Sequence, residues 1–123
     1  MLTLYIVTSA LALAAHELGH VGCALALDVR VKRAGLSWRG PYIVRESGSD
    51  VQNLAIALAG PLVNLLLAAL LPIYARVVGV GGVMFAFSNV TLAIFNLLPL
   101  PLSDGRRVVE LLMTKPKKGV QAA

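Results

Sequence analysis

The sequence has little of what a water-soluble domain is built from. Only 14% of its 123 residues are charged while 58% are hydrophobic, an apolar share well above that of ordinary soluble domains, and the mean hydropathy is +0.80. That balance points to a membrane protein. Acidic residues number six and histidines two, so any chemistry needing ionisable groups has few residues to draw on. The single cysteine, Cys23, excludes an intramolecular disulfide and reads as a small hydrophobe within an apolar stretch. Aromatics make up only 6%. The net charge of +5 therefore forms no basic face interleaved with aromatics, which argues against a nucleic-acid partner. Contact with the anionic headgroups of a lipid bilayer accounts for the charge better.

Three apolar runs are present, Leu2 to Leu27, Leu54 to Ala75 and Val83 to Leu102, each long enough to cross a hydrocarbon core that takes about 20 helical residues. The opening run ends its first part in Ala-x-Ala but lacks a positive n-region and continues too far for a signal peptide, so a retained transmembrane helix is expected. Between the first two runs, Asp28 to Asp50 is polar. Its alternation at Val29 to Lys32 and its break at Arg39-Gly40-Pro41 predict short strands joined by turns, with an irregular loop as the alternative. A tight linker is expected near Arg76 to Gly82. The fold class expected is an all-α membrane protein with three transmembrane helices and a small β-hairpin-like loop. It forms one core over residues 1–113, with a basic tail at 114–123. No segment is long enough for a separate soluble module beside the apolar runs. Of the eleven Lys and Arg residues all but Arg76 fall in the loop or after Gly105, which predicts both segments cytoplasmic and the N-terminus outside.

Within the first run lies AAHELGHVG, Ala14 to Gly22. Ionisable groups at membrane depth cost several kcal/mol unless something offsets them. His16 and His20 are four residues apart, which puts both imidazoles on one helical face at the spacing that grips a single metal ion. Glu17, one residue on, stands beside such an ion, where a carboxylate takes a proton from a bound water. Zinc is the expected compensation, and hydrogen bonding between helices without metal is the alternative. A catalytic zinc site normally has three protein ligands. Asp104 is the strongest candidate for the third, because Pro99 and Pro101 break the helix before it and let the chain turn a carboxylate inward. Glu110 is the runner-up, and an N-cap role is the other reading of Asp104.

HELGH at 16 to 20, AGPLVN at 59 to 64 and NLLPLPLSDG at 96 to 105 occur in that order on three successive runs. In this the chain resembles the site-2 protease family, the intramembrane zinc metalloproteases, and is nearest to the minimal type that processes a sporulation factor. The resemblance implies a three-helix core with zinc on His16, His20 and Asp104, and Glu17 as general base. It also implies that Asn64 holds the substrate backbone or the oxyanion, an interhelical hydrogen bond being the alternative, and that Asn96 is structural. Where the family usually carries leucine before Asp-Gly, this chain has Ser103.

The function expected is thus an intramembrane zinc metalloendopeptidase cutting membrane proteins in or near a transmembrane segment. Such a substrate must unwind locally to free its carbonyls, and an open strand edge between Val29 and Val44 offers capture by β-augmentation. A non-catalytic binding or regulatory module that keeps the fold is the alternative of another class. Zinc transport is a weaker third, since one metal cluster gives no path. Further partners in view are an oligomeric copy or a gating protein.

Overall fold

The apolar runs fold as helices, and the boundaries are set by caps, prolines and one glycine. The structure, a computed structural model, describes residues 1–113; the basic tail expected at 114–123 lies outside the described residues. Helix α1 is Leu2–Ala26. Its buried positions, Thr8, Ala12, His16 and Ala24, are spaced by four or eight residues and define one inward stripe, where small side chains let other helices come close. Strands β1, Val31–Ser37, and β2, Gly40–Arg45, follow. They pair antiparallel from Val31↔Arg45 to Ser37↔Gly40, with an irregularity between Val31 and Arg33, so the polar loop is a hairpin, as its alternation predicts. The tip is turned by Trp38, Arg39 and Gly40, whose φ is +109°.

Helix α2, Asp50–Ala69, starts at a capping box in which Ser49 and Gln52 satisfy each other's backbone N–H. The Gln52 amide also donates to the Leu27 carbonyl at 3.0 Å, tying the end of α1 to the start of α2. The buried face of α2 is Ile56, Ala57, Gly60, Pro61 and Asn64. The second apolar run does not stay one helix. It breaks at Leu70, and Pro72 opens a separate helix α3, Leu71–Val78. Prolines suit a first helical turn because no N–H is needed there. The linker expected over Arg76 to Gly82 therefore shrinks to Gly79, whose φ of +59° with ψ of −130° is open only to glycine.

Helix α4 is Val80–Leu97, starting three residues before the third run and ending five residues short of its end. Pro99 is the reason, since it drives Leu98 into extended backbone, φ −68° and ψ 142°. After the turn through Pro101, helix α5 covers Asp104–Met113. Helices α1, α2 and α4 pack against one another, and α5 lies against α2 and α4. Among the described residues these three long helices are the ones long and apolar enough to cross a membrane. Large apolar side chains face outward along all three, as on a surface solvated by lipid. The inside of the trio instead sets a polar group among mostly small apolar residues. Thr8, His16, Asn64, Ser88 and Asn89 are buried there, and no buried side-chain N or O among the described residues lacks a partner.

Candidate metal centre

His16 and His20 stand one turn apart on α1, and the start of α5 brings Asp104 to them. His16 Nε2 lies 2.9 Å from Asp104 Oδ2, His20 Nε2 lies 3.1 Å from the same oxygen, and the two Nε2 atoms are 3.1 Å apart. The three residues form a group able to hold one metal ion. Glu110 is not part of it. Its carboxylate accepts from Arg106 Nε at 2.9 Å, one turn along α5.

Hydrogen bonds behind the rings fix what those three atoms are. The Ile56 carbonyl can only accept, so His20 Nδ1, at 2.6 Å, carries its proton toward it and leaves a lone pair on Nε2. Asn64 lies behind His16. Its Nδ2 donates to the Ala12 carbonyl at 3.0 Å and to Asn89 Oδ1 at 2.7 Å, and the two bonds together orient the amide with Oδ1 toward His16 Nδ1 at 2.6 Å. The neutral His16 ring thus also carries its proton on Nδ1.

Two lone pairs and a carboxylate oxygen this close repel unless positive charge stands among them. A proton on one ring faces one partner, whereas a metal cation takes all three. Ligand atoms on a tetrahedral zinc with bonds of about 2.0–2.1 Å lie roughly 3.3 Å apart, so a small outward adjustment of the observed spacing suits the ion. The N, N, O donor set is also one that zinc takes. Burial raises the pKa of the Asp104 carboxyl, but when the two rings are protonated their Nε2–H groups and positive charge outweigh it and lower it from 3.8 to about 2; a cation held by the Nε2 lone pairs acts on the carboxylate in the same direction. The third donor is therefore an ionised oxygen.

Glu17 is half-buried beside the three donors and shares with them a groove of about 570 Å³. One wall comes from Pro41 to Ile43 of β2 and the other from Ser103 and Asp104. Asn96, at the end of α4, lines the same groove and donates to the Leu92 carbonyl at 2.9 Å.

No family model matches the chain. A protein of Synechocystis named "Putative zinc metalloprotease" is 34% identical to it over 125 residues, which cover 89% of this chain and 32% of the relative. Stage IV sporulation protein FB of Bacillus subtilis is 32% identical over 106 residues, covering 81% of this chain and 37% of the relative. Both relatives are homologous to this chain over most of its own length. It spans about a third of the length of these relatives.

The AGPLVN stretch has a readable physical task. A Cβ on Gly60 would run into His20 Nε2 and His16 Cε1, so the absent side chain is the space in which both imidazoles lie against α2. Pro61 has no N–H to give to the Ala57 carbonyl, next to Ile56, whose own carbonyl orients His20. Asn64 is 0% exposed, with its oxygen on His16 and its nitrogen on Ala12 and Asn89. Of the two readings of Asn64, the interhelical hydrogen bond is present, to Ala12 on α1 and Asn89 on α4. What the amide holds is the back of the His16 ring.

The cap on α5 is Ser103, not Asp104. Ser103 Oγ accepts from Arg106 N at 3.1 Å, which leaves Asp104 in the first helical position with its carboxylate free to turn toward the histidines. Asn89 was not among the residues singled out from sequence. A lone amide in an apolar helix is itself the signal, since it is costly there without a partner.

Proposed function

We propose that the chain is the catalytic core of an intramembrane zinc metalloendopeptidase, with His16, His20 and Asp104 as the zinc ligands. The observation that carries this reading is the convergence of two imidazole lone pairs and an ionised carboxylate oxygen beside a fourth ionisable group, Glu17. A structural metal site has no need of that extra carboxylate. Zinc held there supplies a Lewis acid that polarises a peptide carbonyl and makes a water acidic near neutral pH.

The remaining work falls to side chains. Glu17 takes a proton from the attacking water on its carboxylate and passes it to the departing amine nitrogen. The edge of β2 along the groove offers backbone N–H and C=O groups to an unwound substrate segment. The substrate class is a membrane protein with a transmembrane segment, because two of the three donors sit on a helix long and apolar enough to cross a membrane. With the basic hairpin and α5 on the cytoplasmic face, the groove opens near that surface.

The test pairs metal content with cleavage on the full chain in detergent, using single-span membrane proteins as substrates. Glu17→Gln should keep zinc at the parent stoichiometry and lose cleavage by about 10²–10⁴-fold. Comparable turnover by the parent and Glu17→Gln would overturn the general-base assignment.

A further inference from the structure

Helix α4 contributes no metal ligand, yet it reaches His16 through two buried amides. Asn89 is 0% exposed on the inner face of α4. Its Nδ2 donates to the Phe85 carbonyl at 2.8 Å, one turn back on its own helix. A carbonyl can only accept, so this bond fixes which end of the Asn89 amide faces away. The Oδ1 end accepts from Asn64 Nδ2 at 2.7 Å. The second hydrogen of that nitrogen goes to the Ala12 carbonyl on α1. Both Asn64 N–H bonds are thereby spent on acceptors from two different helices, and Asn64 Oδ1 is left to receive the His16 Nδ1 proton.

We infer that Asn89 is a positioning residue for the metal centre: by engaging the second Asn64 N–H, it holds Asn64 Oδ1 on His16 and thus keeps the His16 Nε2 lone pair facing the ion. Every bond in the chain from Phe85 to His16 has one direction only. With Asn89 unable to reach it, Asn64 keeps one acceptor for two N–H groups. Its amide is then free to rotate until the unpaired hydrogen finds another partner, and the His16 proton loses its fixed acceptor. His20 is an internal control, because its Nδ1 proton goes to the Ile56 carbonyl and touches neither amide.

The inference rests on His16 as a metal ligand, and the tautomer of the ring can be read without metal. The chain has two histidines, so imidazole ¹⁵N spectra of the zinc-free protein, at a pH where both rings are neutral, contain two residues. In the parent both should carry the proton on Nδ1. Asn89→Ser keeps the bond back to Phe85 but is too short to reach Asn64. It should move the His16 signals toward the Nε2-protonated form while His20 stays, and weaken zinc binding by about tenfold. Asn64→Leu should weaken zinc binding at least as much, and adding Asn89→Ser to it should change nothing further. A proton on Nε2 of His16 in the parent would overturn the inference whether or not the variants fold. So would an unmoved His16 in Asn89→Ser, equal movement of both rings, or losses in zinc affinity that multiply in the double variant. A parent with the expected tautomers that binds no zinc would sink the metalloprotease reading and leave the relay standing.

Discussion

The proposed metal centre has two halves built on different terms. His16 and His20 project from a 25-residue helix, and each ring is held from behind by a partner on α2. Asp104 arrives on a ten-residue helix after two prolines and a turn, and its side chain is 18% exposed against 3% for His16. The histidine half is an inseparable part of how α1, α2 and α4 pack. The aspartate half is a delivered group, placed by a cap and a turn outside the helical trio. Removing a ligand should therefore cost metal in both halves but cost stability mainly in one.

That contrast is sharpest in His16→Ala against Asp104→Ala. Each removes one of three protein donors, so zinc affinity should fall by at least about two orders of magnitude in both, because the binding energy depends on the complete set. His16→Ala also strands the Asn64 carbonyl in a dry site, which costs about 1–3 kcal/mol, and leaves a ring-sized cavity between α1 and α2. Asp104→Ala leaves the helical trio intact. Zinc titration and thermal unfolding in detergent, on metal-free samples, should give equal metal loss with a markedly lower transition for His16→Ala alone. Equal transitions would remove the distinction between the halves.

A smaller effect comes from single methyl groups added at glycines, which leave every ligand residue in the chain. Gly60→Ala puts a Cβ where the two imidazoles lie, and Gly105→Ala puts one against the Leu97 carbonyl at the end of α4. Overpacking of this kind costs about 1–3 kcal/mol. Gly60→Ala should also weaken zinc by about 10–100-fold, as loss of supporting contacts does, because both rings must move at once. Gly105→Ala should displace one donor and weaken zinc less. A Gly60→Ala protein with parent-like zinc affinity would show the rings to be less constrained by α2 than their hydrogen bonds imply.

How much of this was legible follows from how local each signal is. His16, Glu17 and His20 are one helical turn, so spacing alone carries them, and the hairpin was legible in the alternation of the loop and the Gly-Pro break. Asp104 is 84 residues from His20 and was reached through the proline break and the resemblance of three motifs. The break at Leu70 was missed because apolar composition continues through it, while Pro72 marks a new helix rather than the middle of an old one. The third run was read past Leu97 for the same reason, hydropathy having no term for the backbone restriction ahead of Pro99. The N-cap considered as the other reading of Asp104 falls to its neighbour Ser103, which has the same capping chemistry. Asn89 has no spacing relation to any motif, and only the packing of α4 on α2 gives its amide a partner.

Ser103→Ala should remove the α5 cap and cost about 1 kcal/mol. Zinc affinity should drop a few-fold with it, since Asp104 is the next residue. Ser103 Oγ also lies 2.6 Å from the Leu98 carbonyl and 2.7 Å from the Leu100 carbonyl, so its loss loosens the turn on both sides. An unchanged zinc affinity together with the stability loss would mean that Asp104 is aimed by its contact with the histidines and not by the helix it starts.

The smallest effect expected is a gain. Leu102 has φ +64°, a left-handed backbone that costs a residue with a side chain about 1–2 kcal/mol. The side chain itself is 88% exposed, so packing in the fold does not offset that cost. Leu102→Gly releases the strain but gives back about 0.5–1 kcal/mol in the unfolded chain's freedom, leaving a net stabilisation of up to about 1 kcal/mol. The residue borders the groove two positions before Asp104, where strain kept without a packing return marks a functional constraint. If the apolar side chain contacts the substrate, Leu102→Gly should unfold slightly later, hold zinc as the parent does and still cleave more slowly through a raised KM. Parent-like cleavage with the same gain in stability would assign the strained turn to delivering Asp104 alone, and would make the aspartate half a matter of backbone geometry as fully as the histidine half is a matter of buried hydrogen bonds.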